Sequence, residues 1–262
     1  YCLMVASEWS QYGHKIVGSG YDDSGGSAYQ GYSVAISRND SSTLVSGGYR
    51  DTSKVGAVWV FNKSATLDQW IQQDKLVGDD YDDAGGSVYQ GYAVAVSDSG
   101  NTLASGGYAD SSLVGAVWIF TRTDNTWSQQ GSKLVGTGSG SGSVFQGYSV
   151  AISDDGNTLA SGAIADSFAL GAVWIFTRTA GIWNQQGAKL VGTGYGIGTV
   201  LLPMEIRWHQ VDTWTILVLV QCGYSLELAI LGVNKEASWL VQVMQEVLNK
   251  VVQWHCLQTA TR

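Results

Sequence analysis

Residues 145–176 read FQGYSVAISDDGNTLASGAIADSFALGAVWIF, and the same phrase occurs twice more in the chain. YQGYSVAIS starts at Tyr29 and YQGYAVAVS at Tyr89. Each is followed by a turn and a second block, STLVSGGYRD, NTLASGGYAD or NTLASGAIAD. A third block follows, GAVWVF from Gly56 and GAVWIF from Gly115 and Gly171. A fourth begins at Trp70, Trp127 and Trp183 with WIQQDKLVG, WSQQGSKLVG and WNQQGAKLVG. The period is about 56–60 residues, the length of a four-stranded propeller blade with its loops. WSQYGHKIVG from Trp9 is the end of a preceding, truncated copy.

Each block carries strand periodicity. In GAVWIFTR, Ala172, Trp174 and Phe176 share one face, and Val173, Ile175 and Thr177 the other. Both faces are largely apolar, as a strand held between neighbouring sheets requires. In GYSVAIS, Tyr148, Val150 and Ile152 face one side, and small Ser149, Ala151 and Ser153 face the other, where a next blade can come close. Asp155-Gly156-Asn157 and Ser99-Gly100-Asn101 supply turns between the first two strands. The repeated tryptophans read as blade-to-blade core. The expectation is an all-β partial propeller of about three four-stranded blades, at about 29–78, 89–136 and 145–192, within a repeat region 1–198.

The phrase resembles the FG-GAP repeat of integrin-α-type propellers over roughly residues 9–198. Gly31, Gly91 and Gly147 match the glycine of its first motif, with Tyr29, Tyr89 or Phe145 displaced one position ahead. Gly162 and Ala163 match its Gly-Ala-Pro triplet, Ile164 replaces the proline, and the other copies read GGY. An aspartate follows in each copy, at Asp51, Asp110 and Asp166. The resemblance implies a blade-stacked propeller in an extracellular or cell-surface setting. A closed ring of about seven blades needs more copies than three, so further blades from a longer chain or another copy are expected. The start at Tyr1 fits that expectation of a fragment.

Composition bounds the partners. Glycine is abundant (34), charged residues are few (14%), and the formal charge is −8. A nucleic-acid backbone needs a cationic face, so that partner is not expected. The most apolar run, Thr215 to Val220, is too short to insert across a bilayer. Cys2, Cys222 and Cys256 lie outside the repeats and form no zinc spacing with His255. His14 is the one histidine of the repeats and reads as an exposed strand residue rather than a catalytic base. The Gly-rich run from Gly136 lacks the lysine and following helix of a phosphate loop and reads as a linker. No catalytic group is therefore expected, and the chain reads as not an enzyme.

Carboxylates are the one suggestive cluster. Asp22 and Asp23 in YDDSGGS, and Asp82 and Asp83 in YDDAGGS, put oxygen ligands beside bend glycines, the kind of loop calcium takes. Calcium there is one reading, and solvated loop aspartates the other. Family members hold calcium in D-x-D-x-D-G hairpins, and the turns SRNDSS, SDSGNT and SDDGNT depart from that pattern. Tyr49 and Tyr108, each following a Gly-Gly pair, are candidate stacking platforms. The functional expectation is a non-enzymatic binding or adhesion module for a protein or glycan ligand. The alternatives are a lectin-like carbohydrate binder or an accessory domain of a larger extracellular enzyme.

After about Thr199 the repeat disappears, and residues 199–262 read as the same repeat in a shifted frame. Met204–Asp212, MEIRWHQVD, permits the codons ATG GAA ATA CGT TGG CAT CAG GTG GAT. Moved by one base behind a leading G, they spell DGNTLASGG. The same shift across Leu219–Leu231 and Gly232–Val243 permits GVGAVWVFTRTGNT and WSQQGSKLVGTG, in repeat order. As written, the segment is expected to be irregular or helical, with an apolar stripe at helical spacing through 237–253. Sequencing the gene across Met204–Asp212 checks the shift. Codons spelling DGNTLASGG one base away are expected, and any other codon choice there removes the reading.

Overall fold

The computed structural model describes residues 13–192, except 23–25, 40–41, 65, 68, 141 and 167–170, together with strands 216–222 and 225–231. Its repeat region is three antiparallel four-stranded sheets. The first holds β1 (Ser33–Ile36), β2 (Thr43–Gly48), β3 (Ala57–Lys63) and β4 (Trp70–Leu76) in that order. The second holds β5 (Ala93–Val96), β6 (Thr102–Gly107), β7 (Ala116–Thr123) and β8 (Thr126–Gln129). The third holds β9 (Ser149–Ile152), β10 (Thr158–Ala163), β11 (Ala172–Thr179) and β12 (Ile182–Gln185). Registers repeat between blades: Trp59 lies opposite Ser46, Trp118 opposite Ser105 and Trp174 opposite Ser161. The chain is thus all-β, in the arrangement of a partial propeller.

Blade contacts follow the alternation of the strands. Leu103, Ala116, Trp118 and Phe120 of the second blade pack with Val45, Val58, Val60 and Leu76 of the first. One blade on, Leu159, Ala172, Trp174 and Phe176 pack with Ala104, Val117 and Ile119. Each blade therefore gives its tryptophan face to the blade before and its valine/isoleucine face to the blade after. Trp59, Trp118 and Trp174 are fully buried. Burying a large side chain of this kind stabilises by roughly 1.5–3 kcal/mol.

Close approach is secured by glycine. A Cβ on Gly18, Gly78 or Gly136 would stand 2.2, 2.0 or 2.2 Å from Cδ1 of Trp59, Trp118 or Trp174. The same three glycines donate their backbone N–H to the side-chain oxygens of Gln30, Gln90 and Gln146, at 2.9, 2.6 and 2.7 Å. At the outer ends, Arg122 Nη1 donates to Asn62 and Gln73 of the preceding blade, and Arg178 Nη1 donates to Gln130. Both guanidiniums also stack on a tryptophan of their own blade, Trp127 and Trp183.

The inner strands show where the series opens. Val94, Val96 and Val150 pack against the blade before them, while Val34 and Ile36 at the matching positions of β1 are 64% and 47% exposed. The tail differs in part from the irregular or helical expectation. β13 (Ile216–Cys222) and β14 (Ser225–Leu231) pair as an antiparallel two-stranded sheet. The run ILVLV is rich in β-branched residues, and strand propensity prevails there. The helix candidate at 237–253 lies outside the described residues.

Gly31, Gly91 and Gly147 all hold positive φ, at 86°, 75° and 79°. A Cβ on Gly91 or Gly147 would sit 2.3 Å from the carbonyl oxygen of Ala57 or Ala116, whereas Gly31 has nothing within 4 Å. Gly31→Ala is expected to cost only the left-handed backbone penalty, about 1–2 kcal/mol. Gly91→Ala adds a clash with backbone and is expected to cost at least about twice that. Denaturant unfolding of the two variants checks this. Equal losses would contradict the inter-blade contact.

Candidate functional site

Two sets of repeated polar and aromatic residues occupy the strand ends. The first is buried. Asp51, Asp110 and Asp166 are no more than 1% exposed. Lys75 and Lys133 reach Asp51 and Asp110 at 2.6 Å, and Lys189 pairs with Asp166 in the same way. The other carboxylate oxygen of each accepts a linker N–H, from Asp22, Asp82 and Gly140, at 2.7 Å. Thr52 and Ser111 hydroxyls add bonds to Asp51 and Asp110. Removing the ammonium would strand a buried carboxylate at a cost of about 3–5 kcal/mol. This network fastens each linker to the blade it enters.

That network explains the paired aspartates. Asp22 and Asp82 serve through their backbone N–H groups, and Gly140 does the same without any carboxylate. The Asp82 side chain accepts the N–H of Ala84 at 3.0 Å, a local turn bond. Asp83 is exposed, and Asp23 lies outside the described residues. Among the described residues no three His, Cys, Asp or Glu side chains gather to hold a metal ion. His14 is exposed and lies outside any strand, so its expected strand setting is corrected.

The second set forms an aromatic ladder. Tyr29, Tyr89 and Phe145 stand before the inner strands with positive φ of 57°, 64° and 63°. Three residues on, Tyr32, Tyr92 and Tyr148 follow a left-handed glycine. Tyr49 and Tyr108 leave the ends of β2 and β6 and fill the gaps between these rows. Tyr49 touches Tyr29, Tyr32, Tyr89 and Tyr92, with centroids 4.6–5.6 Å apart. Tyr108 touches Tyr89, Tyr92, Phe145 and Tyr148 at 4.6–6.0 Å. Tyr92 closes the inner row, 4.9 Å from both Tyr32 and Tyr148. Tilted and edge contacts of this kind add about 0.5–1.5 kcal/mol per pair beyond area burial.

The structure thus brings Tyr49 and Tyr108 together in one continuous array. The other six rings were not singled out as site residues from the sequence, although YQGY, an aromatic on both sides of a glycine, repeats in the chain and could have revealed them. Ile164 takes the corresponding place in the third blade, and the middle row ends there. Tyr29 and Tyr32, at the first blade, are 47% and 49% exposed. Arg50 lies over the rings of Tyr29 and Tyr49, 5.4 and 6.0 Å from their centroids. Burial, with hydrogen bonding to Tyr148 and Tyr32, raises Tyr92 above the ordinary phenol value. Burial first, then neighbouring phenols, push Tyr108 up to about 12. Tyr92 and Tyr108 are therefore neutral hydroxyl groups at physiological pH.

No protein-family model and no curated protein matches the chain. Among solved structures it is similar to TolB from Acinetobacter baumannii, at TM-score 0.36 and 9% identity over 76% of this chain and 43% of that one. It is similar to a putative 6-phosphogluconolactonase from Bacteroides uniformis, at TM-score 0.37 and 10% identity over 77% and 71%. It is also similar to the periplasmic gluconolactonase PpgL of Pseudomonas aeruginosa, at TM-score 0.36 and 14% identity over 77% and 68%. The chain spans less than half the length of TolB. No residue role transfers at such identity. One expectation is overturned: the non-enzymatic binding or adhesion module, with its lectin-like and accessory alternatives, does not stand. Two of these structures carry lactonase titles, and a fold does not by itself separate binder from catalyst. Among the described residues no helix is long and apolar enough to cross a membrane, which leaves β-barrel spans untouched.

The raised Tyr108 value sets an alkaline window. Between the ordinary phenol value of about 10 and about 12, the folded chain keeps a proton that the unfolded chain has lost. The contribution to stability is full below about pH 10 and is lost as pH rises through about 12. Tyr108→Phe is expected to lose less stability than wild type over this window, measured by denaturant unfolding at stepped pH. Parallel declines would refute the assignment.

Proposed function

We propose that the tyrosine ladder is the ligand-binding face of this propeller, and that the ligand lies across the blades with a planar or ring-shaped face against the tyrosines. The observation that carries this is the continuity of eight rings over three blades, with neighbouring centroids 4.6–6.0 Å apart and the first-blade rings half exposed. Such an array offers stacking faces at a regular spacing and phenol hydroxyls beside them. Stacking on an aromatic side chain contributes roughly 1–3 kcal/mol per ring in the well-measured nucleobase case. The FG-GAP likeness, with the extracellular or cell-surface setting it implies, belongs to the same proposal. It is supported by the rhythm of the repeat.

Indole, neutral and planar, is a suitable first probe. Its addition is expected to perturb the amide resonances of Gly31, Gly91 and Gly147, which sit among the rings. Tyr49→Ala and Tyr108→Ala are each expected to weaken binding about tenfold, the equivalent of roughly 1.4 kcal/mol. Perturbations confined to the outer strands, or affinity unchanged in both variants, would rule the ladder out.

A further inference from the structure

The ladder carries one cation, and no acceptor meets its side chain among the described residues. Arg38 pairs with Asp98 and Asp154. Arg122 and Arg178 spend their donors on side chains of their own and the preceding blade. Arg50 differs: its guanidinium has no hydrogen-bond or ion-pair partner among the described residues, and its buried Nε is unsatisfied. A buried donor left unmade costs about 1–3 kcal/mol, which calls for a physical account. Neighbouring Asp51 does not supply one, because its oxygens are taken by Lys75, Thr52 and the N–H of Asp22.

The repeat itself does not need this arginine. The matching positions of the second and third blades are Ala109 and Ala165. Arg50 Cζ lies within cation–π distance of the Tyr29 and Tyr49 rings, at 5.4 and 6.0 Å. The two terminal nitrogens of such a guanidinium can donate to a planar anion, and a carboxylate matches that pair. In a chain of formal charge −8, an unneutralised cation at the exposed end of the ladder is a local exception.

We propose that Arg50 is an anion-recognition point at the first-blade end of the ladder, and that the ligand is a small organic acid whose carboxylate lies beside its stacking face. This deepens the ladder reading and rests on it. The carboxylate would take the terminal N–H groups of Arg50 while the ring stacks on half-exposed Tyr32 beside it.

Indole-3-acetate and indole-3-acetamide test this, since they share one ring and differ in a charge. Affinities are measured by NMR titration on the full chain at low salt. Wild type is expected to prefer the acetate about tenfold, with the preference shrinking as sodium chloride is added. Arg50→Gln is expected to abolish the preference, so that the variant binds acetate and acetamide with equal affinity. Tyr108→Ala is expected to weaken both probes alike. Arg50→Lys, which keeps charge without the fork, should keep part of the preference. Thermal unfolding of Arg50→Gln near the wild-type midpoint confirms an intact fold. Equal affinities in wild type, or a preference that survives Arg50→Gln, overturn the Arg50 proposal and leave the ladder standing. Binding of neither probe overturns both.

Discussion

The structure depends on the contact between a glycine and an indole. Gly18, Gly78 and Gly136 lie so close to Trp59, Trp118 and Trp174 that any side chain would collide with the ring. That contact sets the distance between a blade and the segment that precedes it. The glutamine clamps follow from it, because Gln30, Gln90 and Gln146 can reach those glycines only at this separation. The buried lysine–aspartate pairs follow too, since the linker must run alongside the blade for its N–H to meet the carboxylate. Apolar burial supplies the driving force, and the glycine sets the geometry that makes the burial dense.

Much of the architecture was legible because a propeller repeats its local decisions. The alternation in GAVWIF placed Trp174 and Phe176 on one face and Val173 and Ile175 on the other, and the cores divide along that line. The candidate site was legible only in part. Tyr49 and Tyr108 stood out beside their glycines, but the chain does not say that Tyr32 and Tyr92, sixty residues apart by number, meet at 4.9 Å. That meeting depends on the rotation between blades. The buried role of Asp51, Asp110 and Asp166 was hidden for a similar reason: their lysine partners lie 23 or 24 residues on, across the sheet, and the sequence drew attention to the adjacent pairs Asp22–Asp23 and Asp82–Asp83 instead. In the tail, the β-branched run at Ile216–Val220 forms a strand where an irregular or helical segment was expected. Local propensity acts on whatever residues are present.

Function is carried by what the repeat does not require. The tryptophans, glycines and lysine–aspartate pairs recur in every blade and are accounted for by packing. The tyrosines recur as well, yet a blade can be built without the middle one, since Ile164 stands at that position of the third copy. Arg50 does not recur at all. Features that a fold tolerates but does not demand are where a ligand's chemistry is most readily found.

The left-handed backbone at Tyr29, Tyr89 and Phe145 has a consequence of its own. Glycine would sit at those angles without strain, whereas an aromatic residue gives up about 1–2 kcal/mol to hold them. In return, each ring leaves the main chain in the direction that brings it against Tyr49 or Tyr108. Rings packed in this way lose little entropy on binding. Glycine at Tyr89 would relieve that strain and forfeit the contacts with Tyr49 and Tyr108, two terms of similar size, so stability alone would hardly notice the loss of a ring that the ladder cannot do without.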